Sequence, residues 1–423
     1  MRRRKGVEMD IGNVKKHPLP PSAHPHMQPQ QKGKRRGGAG NSIVRQYTMM
    51  FLVMAILLFT GWQLFNYAEK TPGHTPPSQT GMAPNRDGSQ ERRVPKPSPW
   101  PTDHYQRPNF EAGIVFPQWS ADGYGLHWQQ QLPTIHAQTG ARWMEMTVFL
   151  SQATDNSTQV GTGPSTPTVQ SFASGISAAR AVGYHVFVVP LMGVDSPAEQ
   201  WAGTIQFSNT ADETQWFDSY WHALQPYVLA AAQAGADQLA IGTELVWLQQ
   251  NAPAALWNTL IARLHSVFPG ILTYDMNWSS LGLTLPTWMS NPQLAVIGVS
   301  EYISLVNDPI RVDPQQIPGL WKTMIRSALD SASIHLNKPI IITEIGYRNT
   351  ADTLYNSWSP HSTVSPADPT EQAAACNAAL VNVIPDPYIA GIFFWGWDGV
   401  GGFKLSGQPA TNVLYNWYSS PQS

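Results

Sequence analysis

Residues 238–244 read QLAIGTE, and residues 339–347 read PIIITEIGY. Each stretch is a short apolar run that carries a Thr-Glu pair at or near its end. Apolar runs of this length, without regular alternation of polar residues, are typical of strands buried on both faces, as in parallel sheets. The two stretches therefore predict buried parallel strands, each of which delivers a glutamate near its carboxyl end.

Six further runs of the same kind surround these two along the chain. They are GIVFPQW (113–119), RWMEMTVFL (142–150), HVFVVPLM (185–192), ILTYDMNW (271–278), AVIGVSEYI (295–303) and GIFFWGW (391–397). Longer stretches between them, such as TVQSFASGISAARAVG and PAALWNTLIARLHSVF, have apolar residues at spacings of three and four, which indicates amphipathic helices. Eight strand–helix units in succession predict an α/β fold of the (β/α)8 TIM-barrel type over residues 110–420.

The two glutamates stand out within this predicted barrel. Glu244 ends the fourth strand and Glu344 lies at the end of the seventh, so both are expected at the barrel mouth, where the active sites of this fold lie. A carboxylate that closes an apolar strand is costly to desolvate unless it faces a polar cavity. The structural alternative is an ion pair with a cation such as Arg142 or Arg348.

Strands four and seven lie on opposite sides of such a mouth, so the two carboxylates can flank one bond of a substrate. Hydrolysis of a glycosidic bond needs this arrangement: one carboxyl group protonates the leaving oxygen and the other attacks the anomeric carbon or activates water. A separation of about 5–5.5 Å gives retention of configuration, and about 6.5–9.5 Å gives inversion. The residues alone leave both outcomes open.

Several segments resemble one family of glycosidases. They are STQVGTGPSTPTVQSFASGISAAR (157–180), GADQLAIGTEL (235–245), LTYDMNW (272–278), AVIGVSEYISL (295–305), PIIITEIGYRN (339–349) and GIFFWGW (391–397). Together they are similar to glycoside hydrolase family 113 of clan A, a family of β-mannanases. The resemblance implies that Glu244 is the acid/base, that Glu344 is the nucleophile and that configuration is retained by double displacement.

Other residues are expected to contact the substrate or the two glutamates. Tyr302 ends the predicted sixth strand beside the seventh, so its hydroxyl is expected to donate to Glu344 and keep it ionised. Trp395 ends the eighth strand, and the resemblance to the clan favours it over Trp397 as a stacking surface for a sugar ring. Further substrate-binding residues expected in the cleft are Asn277, Trp119 and Trp278.

The substrate is less well determined than the reaction. The third strand ends in Pro190, Leu191 and Met192, where the family 113 mannanases lead one to expect a Lys-Pro-His type of polar group. A β-mannan-like polysaccharide is therefore the leading substrate, with a β-glucan or a cell-surface polymer as alternatives. A barrel that binds carbohydrate without cleaving it, and a structural surface protein, are the alternatives outside the enzyme class.

The first hundred residues predict a membrane attachment. Residues 47–66 begin with a nineteen-residue stretch without a charge, YTMMFLVMAILLFTGWQLF, which is long enough to span a bilayer as a helix. Eleven Lys and Arg residues precede it, so the positive-inside rule places residues 1–46 in the cytoplasm as a basic tail. Residues 67–109 are rich in Pro and polar residues and predict an extended linker. These features predict a single-pass protein of the cell membrane with an extracytoplasmic barrel; a cleaved signal peptide is the alternative.

Charge and cysteine content exclude several classes. Residues 110–423 carry nine Lys and Arg against twenty-two Asp and Glu, and such an acidic surface repels phosphate backbones, so nucleic-acid binding by the barrel is not expected. Cys376 is the only cysteine, which excludes an intrachain disulfide and a cysteine-based metal cluster. Double displacement by two glutamates requires no metal or organic cofactor, and none is expected.

Overall fold

The computed structural model describes residues 109–196, 201–360, 366–398 and 401–419. Eight strands run through this part of the chain, close to the positions predicted from the apolar runs. They are β1 (Glu111–Val115), β2 (Trp143–Gln152), β3 (His185–Val194), β4 (Gln238–Thr243), β5 (Ile271–Asn277), β6 (Ile297–Ser300), β7 (Ile340–Ile345) and β8 (Ile389–Trp395).

The eight strands form a closed barrel in sequence order, with parallel pairing between neighbours. Closure occurs between β1 and β8, where Val115 is paired with Trp395. The predicted (β/α)8 barrel is therefore confirmed. Six of the predicted strands extend past the observed ends, most of all at β1, which ends at Val115, four residues before Trp119, and at β6, which ends at Ser300, so that Tyr302 lies in the loop after it. The predicted second and third strands are too short, since β2 and β3 each continue for two more residues.

Helices follow the strands and form the outer layer. They are α1 (Leu126–Thr139), α2 (Val169–Val182), α3 (Thr210–Ala234), α4 (Val246–Asn251), α5 (Ala254–Val267), α6 (Ile317–Trp321), α7 (Ser327–Leu336), α8 (Pro369–Val383) and α9 (Ala410–Ser419), and a π-helical segment, Lys322–Arg326, joins α6 to α7. Short 3₁₀ turns include Ala202–Thr204 and Trp278–Ser280.

Local sequence determines where several helices begin and end. The side chains of Thr168 and Asn209 accept hydrogen bonds from backbone N–H groups in the first turns of α2 and α3, which satisfies donors that have no partner within the helix. Gly183 and Gly235 end the same helices in the left-handed conformation that glycine adopts without strain. These residues determine where the two helices begin and end, and β3 and β4 begin shortly after the two glycines.

The barrel interior is filled by side chains and is not an open channel. Phe187 and Phe393 contact each other across it, with ring centroids 5.4 Å apart, and Val115, Ala240 and Ile341 pack in the same cluster. Phe393 also explains a glycine on β1, because a Cβ atom at position 113 would lie 2.1 Å from its ring. A second, larger apolar layer lies between the strands and the helices. The polar residues of the site rest on this packed base.

The predicted basic tail, the membrane span at 47–66 and all but the last residue of the predicted linker lie outside the described residues. Within the described residues, none of the helices combines the length and apolar character that crossing a bilayer requires.

Candidate active site

The sheet is irregular next to each candidate glutamate. The register between β4 and β5 shifts between Ala240 and Thr243, and the register between β6 and β7 shifts between Val299 and Ser300. Such bulges redirect side chains at the ends of barrel strands. Glu244 also adopts a positive φ of 53°, which is uncommon for a residue other than glycine and is a form of local strain found at functional sites.

Glu244 lies just beyond β4 and accepts two side-chain hydrogen bonds. Asn277 Nδ2, at the end of β5, donates to Oε1 at 2.6 Å, and Trp201 Nε1 donates to Oε2 at 2.8 Å. Asn277 is itself oriented, because its Oδ1 accepts from the backbone N–H of Ser279 at 2.9 Å. Burial raises the pKa of Glu244, while these donors lower it. Opposed effects of this kind suit a carboxyl group that must hold a proton and then release it.

Glu344 lies within β7 and accepts a hydrogen bond from Tyr302 Oη to Oε2 at 3.0 Å. Burial raises the pKa of Glu344 well above its ordinary value, and the negative charges of Glu244 and Asp275 raise it further. The bond from Tyr302 acts in the opposite direction. The hydroxyl of Tyr302 remains a donor because burial also raises its own pKa well above the ordinary value for tyrosine. The expected contact between these two residues is present.

Asp275 lies beneath both glutamates, on β5. Its Oδ1 accepts from Thr343 Oγ1 at 2.5 Å and its Oδ2 accepts from Ser300 Oγ at 3.0 Å. Burial raises the pKa of Asp275 to about 8, with a further contribution from the charge of Glu244. Asp275 thus connects β5, β6 and β7 directly below the site, and Thr343 immediately precedes Glu344 in the chain.

A further carboxyl group, Glu145 on β2, is completely buried in the barrel interior. Neither of its carboxyl oxygens has a hydrogen-bond partner among the described residues. Burial raises the pKa of Glu145 well above its ordinary value, and the charges of Glu344 and Asp275 add to this effect. Several acidic groups therefore share one poorly solvated region, which favours protonation of some of them while another remains ionised.

Aromatic residues border the mouth near β1 and β8. Trp119 is 37% exposed and lies with its ring centroid 6.5 Å from that of Trp395. Trp395 is partly buried at the end of β8, whereas Trp397 is only 1% exposed. Trp278 is partly buried in the 3₁₀ turn that follows Asn277. Trp119 and Trp395 thus form one aromatic group, and Trp278 lies separately beyond β5.

Arg348 is not the counter-ion of either glutamate. Its guanidinium donates to four backbone carbonyls of the loop after β7, at distances of 2.7–2.9 Å, and lies 3.6 Å from an oxygen of Asp352. The side chain of Arg348 is only 1% exposed. The structural alternative of an ion pair between Arg348 and Glu344 is therefore wrong, and Arg348 organises a loop.

Two features of the site were missed by the sequence interpretation. Trp201 comes seven residues after the end of β3 and follows no recognisable motif, yet it contacts Glu244. The bonds of Asp275 to Thr343 and Ser300 were not predicted either. The only available signal for Trp201 was its position in the loop after β3, since loops that follow barrel strands form the mouth.

A closed β/α barrel with two half-buried glutamates at the carboxyl ends of β4 and β7 is the arrangement found in barrel glycoside hydrolases. The family model for glycoside hydrolase family 113 matches residues 125–419. The chain belongs to this family, and the resemblance inferred from the motifs is confirmed. It is an enzyme that hydrolyses glycosidic bonds.

Solved structures with the same fold include two family 113 enzymes. A β-1,4-mannanase of family 113, solved as a complex, is 20% identical, with a TM-score of 0.62, over 74% of this chain and 100% of its own. The β-mannanase AaManA from Alicyclobacillus acidocaldarius, in complex with ManMIm, is 20% identical, with a TM-score of 0.61, over 74% of this chain and 97% of its own. A search of curated proteins gave no significant match. At these identities the likeness establishes the fold.

The described residues contain no group of three or more His, Cys, Asp or Glu side chains placed to hold a metal ion.

Proposed function

We propose that this protein is a retaining glycoside hydrolase that cleaves a β-linked polysaccharide of the β-mannan type. Glu344 is the nucleophile and Glu244 is the general acid/base. The observation that carries the proposal is the different environment of the two glutamates: a tyrosine hydroxyl donates to Glu344, whereas an amide and an indole donate to Glu244.

In the first step, an oxygen of ionised Glu344 attacks the anomeric carbon while the bond to the leaving oxygen breaks. Glu244 transfers its proton to that oxygen, so the leaving sugar departs as an alcohol and a glycosyl ester remains on Glu344. In the second step, Glu244 removes a proton from water, and the water oxygen displaces Glu344 from the anomeric carbon. Two inversions at one carbon retain its configuration.

The pKa values of the two glutamates are coupled. Burial raises the pKa of both carboxyl groups, and the charge of Glu244 raises that of Glu344 further, so the pair holds one proton more readily than none. The bond donated by Tyr302 favours the ionised form of Glu344, in opposition to the burial and the neighbouring charges that raise its pKa well above the ordinary value. The first step requires the shared proton on Glu244.

The experiment uses the full-length chain, purified in detergent, on β-mannan and on a panel of other β-linked polysaccharides. Glu344→Ala and Glu244→Ala are each expected to lower kcat by more than about a thousandfold. Added azide should then yield an inverted glycosyl azide with Glu344→Ala and a retained one with Glu244→Ala, because the small anion occupies a different vacated position in each variant.

A matched control is Glu371→Gln, which changes a buried glutamate on α8 that accepts a bond from the Val312 N–H and is bonded to neither Glu244 nor Glu344. This variant should keep its activity. Full activity in Glu344→Ala would refute the nucleophile assignment. Binding of polysaccharide without turnover by the native chain would instead support the silent carbohydrate-binding barrel.

The substrate class rests on the family and on the β-mannanases of the same fold. A different β-glycan remains the second candidate because β3 runs through Pro190, Leu191 and Met192, which offer no charged or hydrogen-bonding side chain at the mouth. Faster hydrolysis of a β-glucan than of a β-mannan in the same panel would favour this alternative.

We also propose that residues 47–66 anchor the protein in the cell membrane, with the barrel on the outer side. The support is the uncharged stretch and the basic residues before it. Protease added to intact cells should then remove the barrel, and a barrel that is cleaved only after lysis would contradict this topology.

A further inference from the structure

Trp201 is held in a defined position in the loop between β3 and α3. Its backbone forms an antiparallel bridge with Gly193 on β3. Its carbonyl accepts from the backbone N–H of Thr204 at 3.1 Å and from the hydroxyl of the same residue at 2.8 Å. The residue therefore begins a short 3₁₀ turn and is anchored from both sides.

The indole ring lies on the backbone of Gly203. A Cβ atom at position 203 would lie 2.5–2.6 Å from three atoms of the six-membered ring of Trp201, so only glycine permits this contact. The residue is nevertheless 43% exposed. A large aromatic ring that is supported on one side and open on the other is a suitable surface for the apolar C–H face of a sugar.

The same ring is connected to the reacting groups. Its Nε1 donates to Glu244 Oε2 at 2.8 Å, while Asn277 donates to the other oxygen at 2.6 Å. Two donors on different oxygens determine the plane of the carboxyl group. Trp201 thus combines an N–H group directed at Glu244 with an open aromatic surface beside it.

We propose that Trp201 is a positioning residue for the acid/base Glu244 and that its ring binds the sugar on the leaving-group side of the cleaved bond. This inference rests on the proposed function, since it takes Glu244 as the acid. The ligand is the pyranose ring that departs when the glycosidic bond breaks.

The chemistry of Glu244 determines on which side of the cleaved bond Trp201 lies. The acid transfers its proton to the oxygen of the leaving sugar, so an aromatic ring bonded to that acid lies next to the departing sugar. Trp119 and Trp395 form the other aromatic group at β1 and β8, and β8 is paired with the strand that carries Glu344. The mouth therefore has aromatic surfaces on both flanks of the carboxyl pair.

The experiment compares Trp201→Phe, which removes the N–H group and keeps an aromatic ring, with Trp201→Ala, which removes both. The control is Trp417→Phe on α9, where the indole N–H also donates to a side-chain oxygen, that of Asn377, at 2.9 Å, but on the outer helices. All are measured as full-length protein on a β-1,4-mannooligosaccharide and on dinitrophenyl β-mannoside, whose leaving group needs no proton.

On the oligosaccharide, Trp201→Phe should lower kcat/KM about tenfold with little change in KM. The alkaline limb of its pH profile should move to higher pH, because one of the bonds that lowers the pKa of Glu244 is lost. On dinitrophenyl β-mannoside the same variant should keep kcat/KM within about twofold of the native value. Trp201→Ala should in addition raise KM for the oligosaccharide about tenfold, because the stacking surface is gone.

An activity-independent measurement separates this inference from the proposed function. Carboxyl ¹³C NMR of glutamate-labelled protein, assigned with Glu244→Gln, should give a higher pKa for Glu244 in Trp201→Phe than in the native chain and in Trp417→Phe. An unchanged Glu244 pKa would overturn the positioning role, and an unchanged KM in Trp201→Ala would overturn the sugar-binding role. Lack of turnover by the native chain on every β-glycan would instead refute the proposed function.

Discussion

The hydroxyl of Tyr302 lies 3.0 Å from Oε2 of Glu344, although the two residues are separated by 42 positions in the chain. The loop after β6 brings the tyrosine to the end of β7. A hydrogen bond from a neutral hydroxyl to a carboxylate stabilises the ionised form of the carboxyl group. This contact opposes the burial and the neighbouring charges that raise the pKa of Glu344.

Replacement of Tyr302 by Phe removes the donor without removing the ring. Because the ionised form of Glu344 loses stabilisation, its pKa should rise, and the acidic limb of the kcat/KM profile should move to higher pH. A bond to a charged group contributes about 1.5–3 kcal/mol, so kcat/KM should fall by about 10- to 100-fold. Tyr184→Phe is the control, since that hydroxyl donates to the Leu132 carbonyl away from the mouth. Parallel pH profiles for Tyr302→Phe and the native enzyme would contradict the expectation.

The raised pKa of Asp275 can be tested through the pH dependence of protein stability. Its pKa is about 8 in the native state and about 3.9 in an unfolded chain, so the native state holds a proton that the unfolded state releases between these values. The contribution of Asp275 to stability is therefore lost as the pH rises from about 4 to about 8. Asp275→Asn removes this dependence, so its melting temperature relative to the native protein should increase over that range. Thermal denaturation at about pH 5, 7 and 9 measures the difference. A constant offset between the two curves would show that Asp275 is ionised in the folded protein.

Trp395 and Trp397 should respond differently to truncation. Trp395 is partly exposed beside Trp119, so Trp395→Ala should lower kcat/KM about tenfold or more while the melting temperature changes little. Trp397 is buried, so Trp397→Ala should reduce the free energy of unfolding by about 3–5 kcal/mol through the cavity that it leaves. Denaturant unfolding and steady-state kinetics on the same preparations separate the two effects. The reverse pattern would exchange the roles of the two tryptophans.

Arg348 should be indispensable for the loop that follows β7. Lysine has a single ammonium group and cannot reach the four carbonyls to which the guanidinium donates, so Arg348→Lys leaves buried acceptors without partners. We expect a loss of about 3 kcal/mol in the free energy of unfolding and faster amide exchange in residues 349–360. Arg263→Lys, at an exposed ion pair with Asp218, should cost less than about 1 kcal/mol. Equal effects of the two substitutions would argue against the role of Arg348 in the loop.

The strands could be predicted because strands buried in a parallel sheet are encoded by short, continuous apolar runs in the sequence. The runs LAIG (239–242) and PIII (339–342) are apolar without interruption, and Gly183 and Gly235 mark the ends of the helices before β3 and β4. The positions of Glu244 and Glu344 followed from the same runs. Strand ends were less accurate, because the last residues of a barrel strand are determined by pairing with neighbours and by bulges such as that between Val299 and Ser300.

The sequence by itself determined the family, the barrel and the two strand-end glutamates, because apolar periodicity and the TE motifs are local patterns. Only the tertiary structure showed that Trp201 donates to Glu244 and that Thr343 donates to Asp275. These hydrogen bonds span 43 and 68 positions in the chain. The tertiary structure also decided that Arg348 binds carbonyls of its own loop and not a glutamate. The contact of Trp201 depends on how a loop folds back over the barrel mouth, and the contact of Asp275 depends on how the strands are arranged in the closed barrel. No local pattern of residues encodes either arrangement. Burial raises the pKa of both glutamates, and specific hydrogen-bond donors lower it. Both effects exist only after the strands have closed into the barrel.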